Sequence, residues 1–140
     1  MDKLTLNNQV TIPLTGLGVY QINNLDECEH TVLNALKMGY RLIDTAACYG
    51  NEKAVGNAIK KSQIHREDIF ISSKVWIQDA GYQKTKQSFA KTLENLQTNY
   101  LDLYLIHMPF SDYHGSWQAM EELYASGKNK SYWCLQFSTR

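Results

Sequence analysis

Apolar and polar positions alternate with two different periods along this chain, and each change of period marks an element. Leu4-Thr5-Leu6 and Val10-Thr11-Ile12 are short β-type runs around Asn7-Asn8, a spacing that predicts a hairpin ended by Pro13. Leu14–Tyr20 reads as a strand, apolar at Leu17 and Val19, whose two glycines invite close approach of a backbone or ligand. From Asn24 the period lengthens. Leu25, Cys28, Val32, Leu33 and Leu36 recur at threes and fours, with Asn23 or Asn24 as the cap and Gly39 as the stop. A strand over Arg41–Asp44 is followed by a helix over Glu52–Lys61, with Ala54, Val55, Ala58 and Ile59 inward. A third strand covers Ile69–Val75, and a long amphipathic helix Tyr82–Leu96 presents Phe89, Leu93 and Leu96 on one face. The strand Leu101–Met108 ends at Pro109, and a fourth helix runs from Trp117 to Ala125 before Gly127.

Strands and helices therefore alternate, one βα unit in about thirty residues, which predicts a parallel sheet covered by helices. No GxGxxG opens the first helix, so the fingerprint of a doubly wound dinucleotide fold is missing. The expected class is α/β, of the (β/α)8 barrel type, carried through about four βα units after the N-terminal hairpin. Such a barrel takes about 250 residues, so a chain of 140 is expected to be the N-terminal half of one.

Composition narrows the classes of partner. The chain is 44% hydrophobic and 20% charged with a formal net charge of zero, which points to a globular protein without a polybasic nucleic-acid surface. No run approaches a membrane span, and the N-terminus has no apolar signal core. Cys28, Cys48 and Cys134 show no metal spacing, and their odd number argues against a disulfide framework, so no metal and a cytoplasmic location are expected. Cys48 reads as a small loop thiol in preference to a nucleophile.

In a parallel barrel the chemistry gathers at the C-terminal ends of the strands. The second strand ends in Asp44, with Tyr49 in the loop that follows; the third ends near Lys74 and the fourth near His107. Each has a plain structural alternative: a capping Asp, a loop Tyr, a snorkelling Lys, a satisfied core His. An acid, a phenol, an ammonium and an imidazole at equivalent strand ends nevertheless make one candidate site.

These residues also carry a resemblance. GYRLIDTAACYGNEKAVG (39–56), SSKVW (72–76), LDLYLIHMP (101–109) and GSWQAMEELYASGK (115–128) resemble the aldo-keto reductase family, in its bacterial diketogluconate and glyoxal reductase branch. The resemblance implies an NADPH-dependent oxidoreductase that reduces aldehyde or ketone carbonyls. It implies Asp44, Tyr49, Lys74 and His107 as the catalytic tetrad. Tyr20, Trp76, His107 and Met108 would line the substrate site, and Gly18, Val19, Tyr20 and Asp44 would touch the cofactor. Met108 departs from the Trp or Gln of many relatives, which bears on substrate preference. Tyr20 and Trp76 read equally well as aromatic rim packing.

The chemistry agrees with the residue types. A carbonyl that accepts a hydride needs a proton on oxygen, and a phenol becomes a better acid beside an ammonium. Lys74 is expected to lower the Tyr49 pKa, Asp44 to hold Lys74, and His107 to orient the carbonyl. A remnant or binding module on the same fold is the competing reading.

After Lys128 the resemblance stops. The family continues as IRAIGVSNF, whose Ser-Asn pair holds the nicotinamide carboxamide, whereas this chain reads NKSYWCLQFSTR. A family-like continuation IKAIGVCNFQP, encoded with suitable codons and preceded by one extra base, translates as NKSYWCLQFST, which is Asn129–Thr139. Residues 1–128 are thus expected to be the family portion and 129–140 a frame-shifted tail. Ser131–Arg140 is expected at the fifth-strand position in poor register. The 140-residue chain alone is expected to bind NADPH weakly, without sustained turnover, and to self-associate through open half-barrel edges.

Overall fold

The computed structural model describes residues 2–134. β1 (Lys3–Thr5) and β2 (Thr11–Pro13) form the antiparallel hairpin, in register Leu4 to Ile12. Its turn is wider than the Asn pair: Leu6 N–H bonds Val10 O, and Gln9 takes the left-handed conformation at φ 68°. A five-stranded parallel sheet follows in the order β3 (Leu17–Gly18), β4 (Leu42–Asp44), β5 (Phe70–Val75), β6 (Leu103–Ile106), β7 (Tyr132–Cys134). Helices α1 (Leu25–Lys37), α2 (Glu52–Ser62), α3 (Tyr82–Leu96) and α4 (Tyr113–Ala125) connect successive strands, and each packs on the next. Strand order runs consecutively with no reversal, which is the winding of a (β/α)8 barrel and not of a doubly wound sheet.

Local signals explain most boundaries. The Asn24 side chain accepts from Glu27 N–H at 3.0 Å to start α1, Asp26 and Glu27 occupy its first turn, and Gly39 leaves it at φ 98°. Cys28, Val32, Ala35 and Leu36 form its buried stripe, while Leu25 stays about half exposed. α3 occupies the residues that its periodicity predicts. α4 begins four residues before Trp117 because Asp112 caps it, accepting from Gly115 N–H at 2.8 Å. The Gly115-Ser116 pair reads as loop in the sequence, yet here Ser116 is buried and its hydroxyl accepts from Gly81 N–H.

Alternation along β5 sorts its side chains. Ile71 and Val75 join the helix-side core with Val32, Val55, Phe89 and Ile106. Ser73 faces the same way and donates to Glu52 at the start of α2. Ser72 and Lys74 face the barrel interior, where both reach Asp44. The hairpin lies against the opposite, N-terminal ends of the strands, enclosing a cavity of about 360 Å³ between Val10, Pro13, Arg41, Phe70 and Asp102. The Asn8 side chain ties its turn to Lys130 O and Ser131 Oγ.

Beyond Lys128 the chain does enter the fifth-strand position, with Tyr132 opposite Tyr104 and Cys134 opposite Ile106. Trp133 is 60% exposed there, and Asn129, almost wholly buried, finds no partner for either side-chain polar atom. The rest of the expected tail strand lies outside the described residues. A groove of about 800 Å³ beside β6 and β7 is lined by Leu103, Leu105, Trp117 and Tyr132 together with the hairpin's Leu6 and Asn8. Among the described residues no helix is long and apolar enough to cross a membrane.

Candidate active site

Register brings the acid and the ammonium together. Asp44 pairs with Ser72 across β4 and β5, and Lys74 lies one pleat further along the same face. Lys74 Nζ donates at 2.7 Å to both Asp44 carboxylate oxygens and at 2.7 Å to the Thr45 carbonyl. Ser72 Oγ adds a 2.6 Å bond to Asp44 Oδ1. The three protons of the ammonium are therefore committed, and Lys74 is only 5% exposed. Burying that charge is tolerable only because Asp44 balances it.

Tyr49 reaches the same place on a single 3-10 turn, Ala47–Tyr49, which Gly50 reverses at φ 70°. Its ring lies under the ammonium, with Lys74 Nζ 5.3 Å from the centroid. His107 follows β6 and packs edge-on against Tyr49, ring centroids 5.8 Å apart. Tyr20 stands on the far side of Tyr49 at 5.0 Å, and Trp76 against His107 at 5.0 Å. The structure thus brings Asp44, Tyr49, Lys74 and His107 to one rim, flanked by the two aromatic rings. Met108 follows His107 at the rim, half-buried.

The Tyr49 phenol differs from expectation in its acidity. Burial pushes it above its ordinary value, and the Asp44 carboxylate nearby adds to the rise. The Lys74 ammonium, its three protons spent on Asp44 and Thr45, meets the ring face and gives the phenol no hydrogen bond, so the rise stands. Burial and the Lys74 charge hold His107 below its ordinary value, with Asp44 opposing. The imidazole is neutral at neutral pH.

Two residues with larger roles escape the sequence. Asn51, read as a turn residue, is 1% exposed and clamps two loops: its Nδ2 donates to Val19 O at 2.9 Å and Ile22 O at 3.3 Å, while Thr45 Oγ1 donates to its Oδ1. That clamp holds the β3–α1 loop, and Tyr20 with it, against the Tyr49 turn. Glu52, which the sequence places only at the start of the second helix, is buried and accepts from Ser73, Thr92 and Asn95, tying α2 to β5 and α3. Nothing in the spacing separates a capping Asn or Glu from a cross-linking one.

The residues named for the cofactor divide in two. The Val19 side chain is in the core, and its backbone amide and carbonyl are engaged by Asp44 O and Asn51. Gly18 faces open space where a side chain would stand, and Tyr20 is 64% exposed beside it. A flat ring can lie along that edge next to Asp44 and Tyr49, so this rim fits a nicotinamide. Among the described residues no group of three His, Cys, Asp or Glu is placed to hold a metal ion.

A parallel barrel winding with an Asp–Lys pair, a phenol and an imidazole at its C-terminal rim is the arrangement to compare with known proteins. The model of the aldo/keto reductase family matches residues 15–138, and the chain belongs to that family. It is 52% identical over 128 residues to the glyoxal reductase of Bacillus subtilis, covering 91% of this chain and 46% of that protein. It is 43% identical over 129 residues to the 9,11-endoperoxide prostaglandin H2 reductase of Trypanosoma cruzi, covering 89% of this chain and 44% of the relative. Among solved structures, an aldo/keto reductase from Brucella melitensis superposes with a TM-score of 0.95 at 44% identity, over 99% of this chain and 55% of its own. The Bombyx mori aldo-keto reductase in complex with NADP superposes at 0.90 and 30% identity, over 95% of this chain and 50% of its own. The chain spans about half the length of the relatives it matches.

Proposed function

We propose that this rim is half of an NADPH-dependent carbonyl-reducing site for small aldehydes and dicarbonyls, in a protein of the cytoplasm. The single observation that carries the reading is the convergence of Lys74, Asp44, Tyr49 and His107 within one mouth lined by Tyr20 and Trp76. Glyoxal reductase is the name of a relative 52% identical over this region, and NADP is bound in a structural neighbour, which supports both halves of the proposal.

Gly18, Tyr20 and Asp44 would hold the nicotinamide end of NADPH, which when bound would supply the hydride. The residues of the chain then have three tasks. Tyr49, kept protonated by its burial, gives its phenolic proton to the carbonyl oxygen. The Lys74 ammonium over the ring face stabilises the phenolate left behind, and Asp44 fixes that ammonium in place. His107, neutral and wedged between Tyr49 and Trp76, orients the oxygen by hydrogen bonding. Met108, next along the loop and half-buried, would line the substrate side of the mouth.

The test is a chimera of residues 1–128 with the second half of the Bacillus subtilis relative. Steady-state oxidation of NADPH by glyoxal is expected. A folded chimera that binds NADPH and reduces no aldehyde would make this rim a binding module instead.

A further inference from the structure

Cys48 and His107 form a contact that the proposed chemistry does not use. Cys48 Sγ lies 3.6 Å from His107 Nδ1, a separation at which a thiol hydrogen reaches a ring lone pair given the size of sulfur. Among the described residues, Cys48 is the one side chain in hydrogen-bond contact with this ring. The other polar groups facing the imidazole are committed or turned away. Lys74, on β5, spends its three protons on Asp44 and Thr45, and Asp44, at the end of β4, is held by Lys74 and Ser72. Tyr49, from the same turn as Cys48, meets His107 edge to face, as does Trp76 from the loop after β5.

A neutral imidazole carries one proton on one of two nitrogens, and the partner of the other decides which. We infer that the Cys48 thiol donates to Nδ1 of His107 and so fixes the tautomer protonated on Nε2, which makes Cys48 a positioning residue. The protonation states agree: the Cys48 thiol, exposed to solvent but partly desolvated by its neighbours, stays above its ordinary value and keeps its hydrogen, while burial holds the imidazole below its own, so it keeps a lone pair. Nε2 lies across the ring from Nδ1 and points away from Cys48. With the proton fixed there, the ring presents a donor and not a lone pair to whatever oxygen enters the mouth. The consequence for carbonyl reduction rests on the proposed function; the tautomer itself does not.

The experiment is a long-range ¹H–¹⁵N correlation spectrum of the imidazole nitrogens in the labelled 140-residue chain, above the titration range of His107, with His107→Gln giving the assignment. Wild type is expected to show Nδ1 as the unprotonated nitrogen and Nε2 as the protonated one. Cys48→Ala and Cys48→Val, which remove the donor at two different side-chain volumes, are expected to shift the population toward a mixture, and Cys48→Ser to keep the Nε2–H form. Protonation on Nδ1 in the wild type would overturn the inference, and so would a tautomer unchanged in Cys48→Ala and Cys48→Val. The readout needs no turnover, so a failure here is separate from a failure of the carbonyl-reductase reading.

Discussion

Lys74 is the residue on which the rim depends, since a buried ammonium requires a counter-charge. Asp44→Ala would leave it with the Thr45 carbonyl alone, and breaking a buried pair in this way costs about 3–5 kcal/mol. Asp44 retains some access to water, its side chain being 32% exposed, so the lower end applies: a loss of about 3 kcal/mol in urea denaturation at neutral pH. Lys74→Met added to Asp44→Ala should recover most of that loss; no recovery would mean that the charge pair is not what Asp44 contributes. His107 gives a pH signature. Its folded pKa is depressed below the ordinary value of about 6.5, so the unfolded chain takes up the proton first. Stability from this group is present above about pH 6.5 and lost as pH falls through the folded pKa. His107→Gln should flatten this part of the stability–pH curve, and an unaltered slope would contradict the assignment. Asn129 works in the other direction. It buries both polar atoms of its amide without partners, so Asn129→Leu should stabilise the fold by about 1–3 kcal/mol in the same assay. A destabilised Asn129→Leu would mean that the amide is satisfied in solution.

At the scale of elements, the close approach of α2 to α3 sets the tightest constraint. A Cβ on Gly56 would stand 2.6 Å from Asn95 O and 2.8 Å from the Leu96 carbonyl carbon, both backbone atoms. Gly56→Ala gains about 1 kcal/mol in helix propensity and loses about 1–3 kcal/mol to overpacking. The second effect wins because the obstacle is main chain and cannot rotate away. A net loss of up to about 2 kcal/mol in thermal or urea unfolding is expected, and a raised midpoint would show that the helices separate freely. Elements whose evidence lies within themselves were readable from sequence. α3 keeps its periodic bounds, and α1 its Asn cap and Gly stop. Elements decided by neighbours were not. β3 shrinks to Leu17–Gly18 because only those residues find ladder partners on β4. α4 starts early because Ser116 trades loop solvation for bonds to Gly81 and Thr85. In the site, strand-end position exposed Asp44, Lys74 and His107, whereas Asn51 and Glu52 act across loops and helices that no local spacing reports.

For the molecule as a whole, the winding of five parallel strands puts every rim residue at one end and the hairpin at the other. The central claim is that this end performs carbonyl reduction through the Tyr49 proton. The most direct measurement is kcat for glyoxal reduction by Tyr49→Phe in the chimera of residues 1–128 with the second half of the Bacillus subtilis relative, alongside NADPH binding followed by fluorescence. Loss of a positioned proton donor removes about 10²–10⁴-fold in rate. The expected kcat is lower by at least about 100-fold with NADPH binding unchanged. A variant that keeps kcat within a few-fold of the unsubstituted chimera would contradict it.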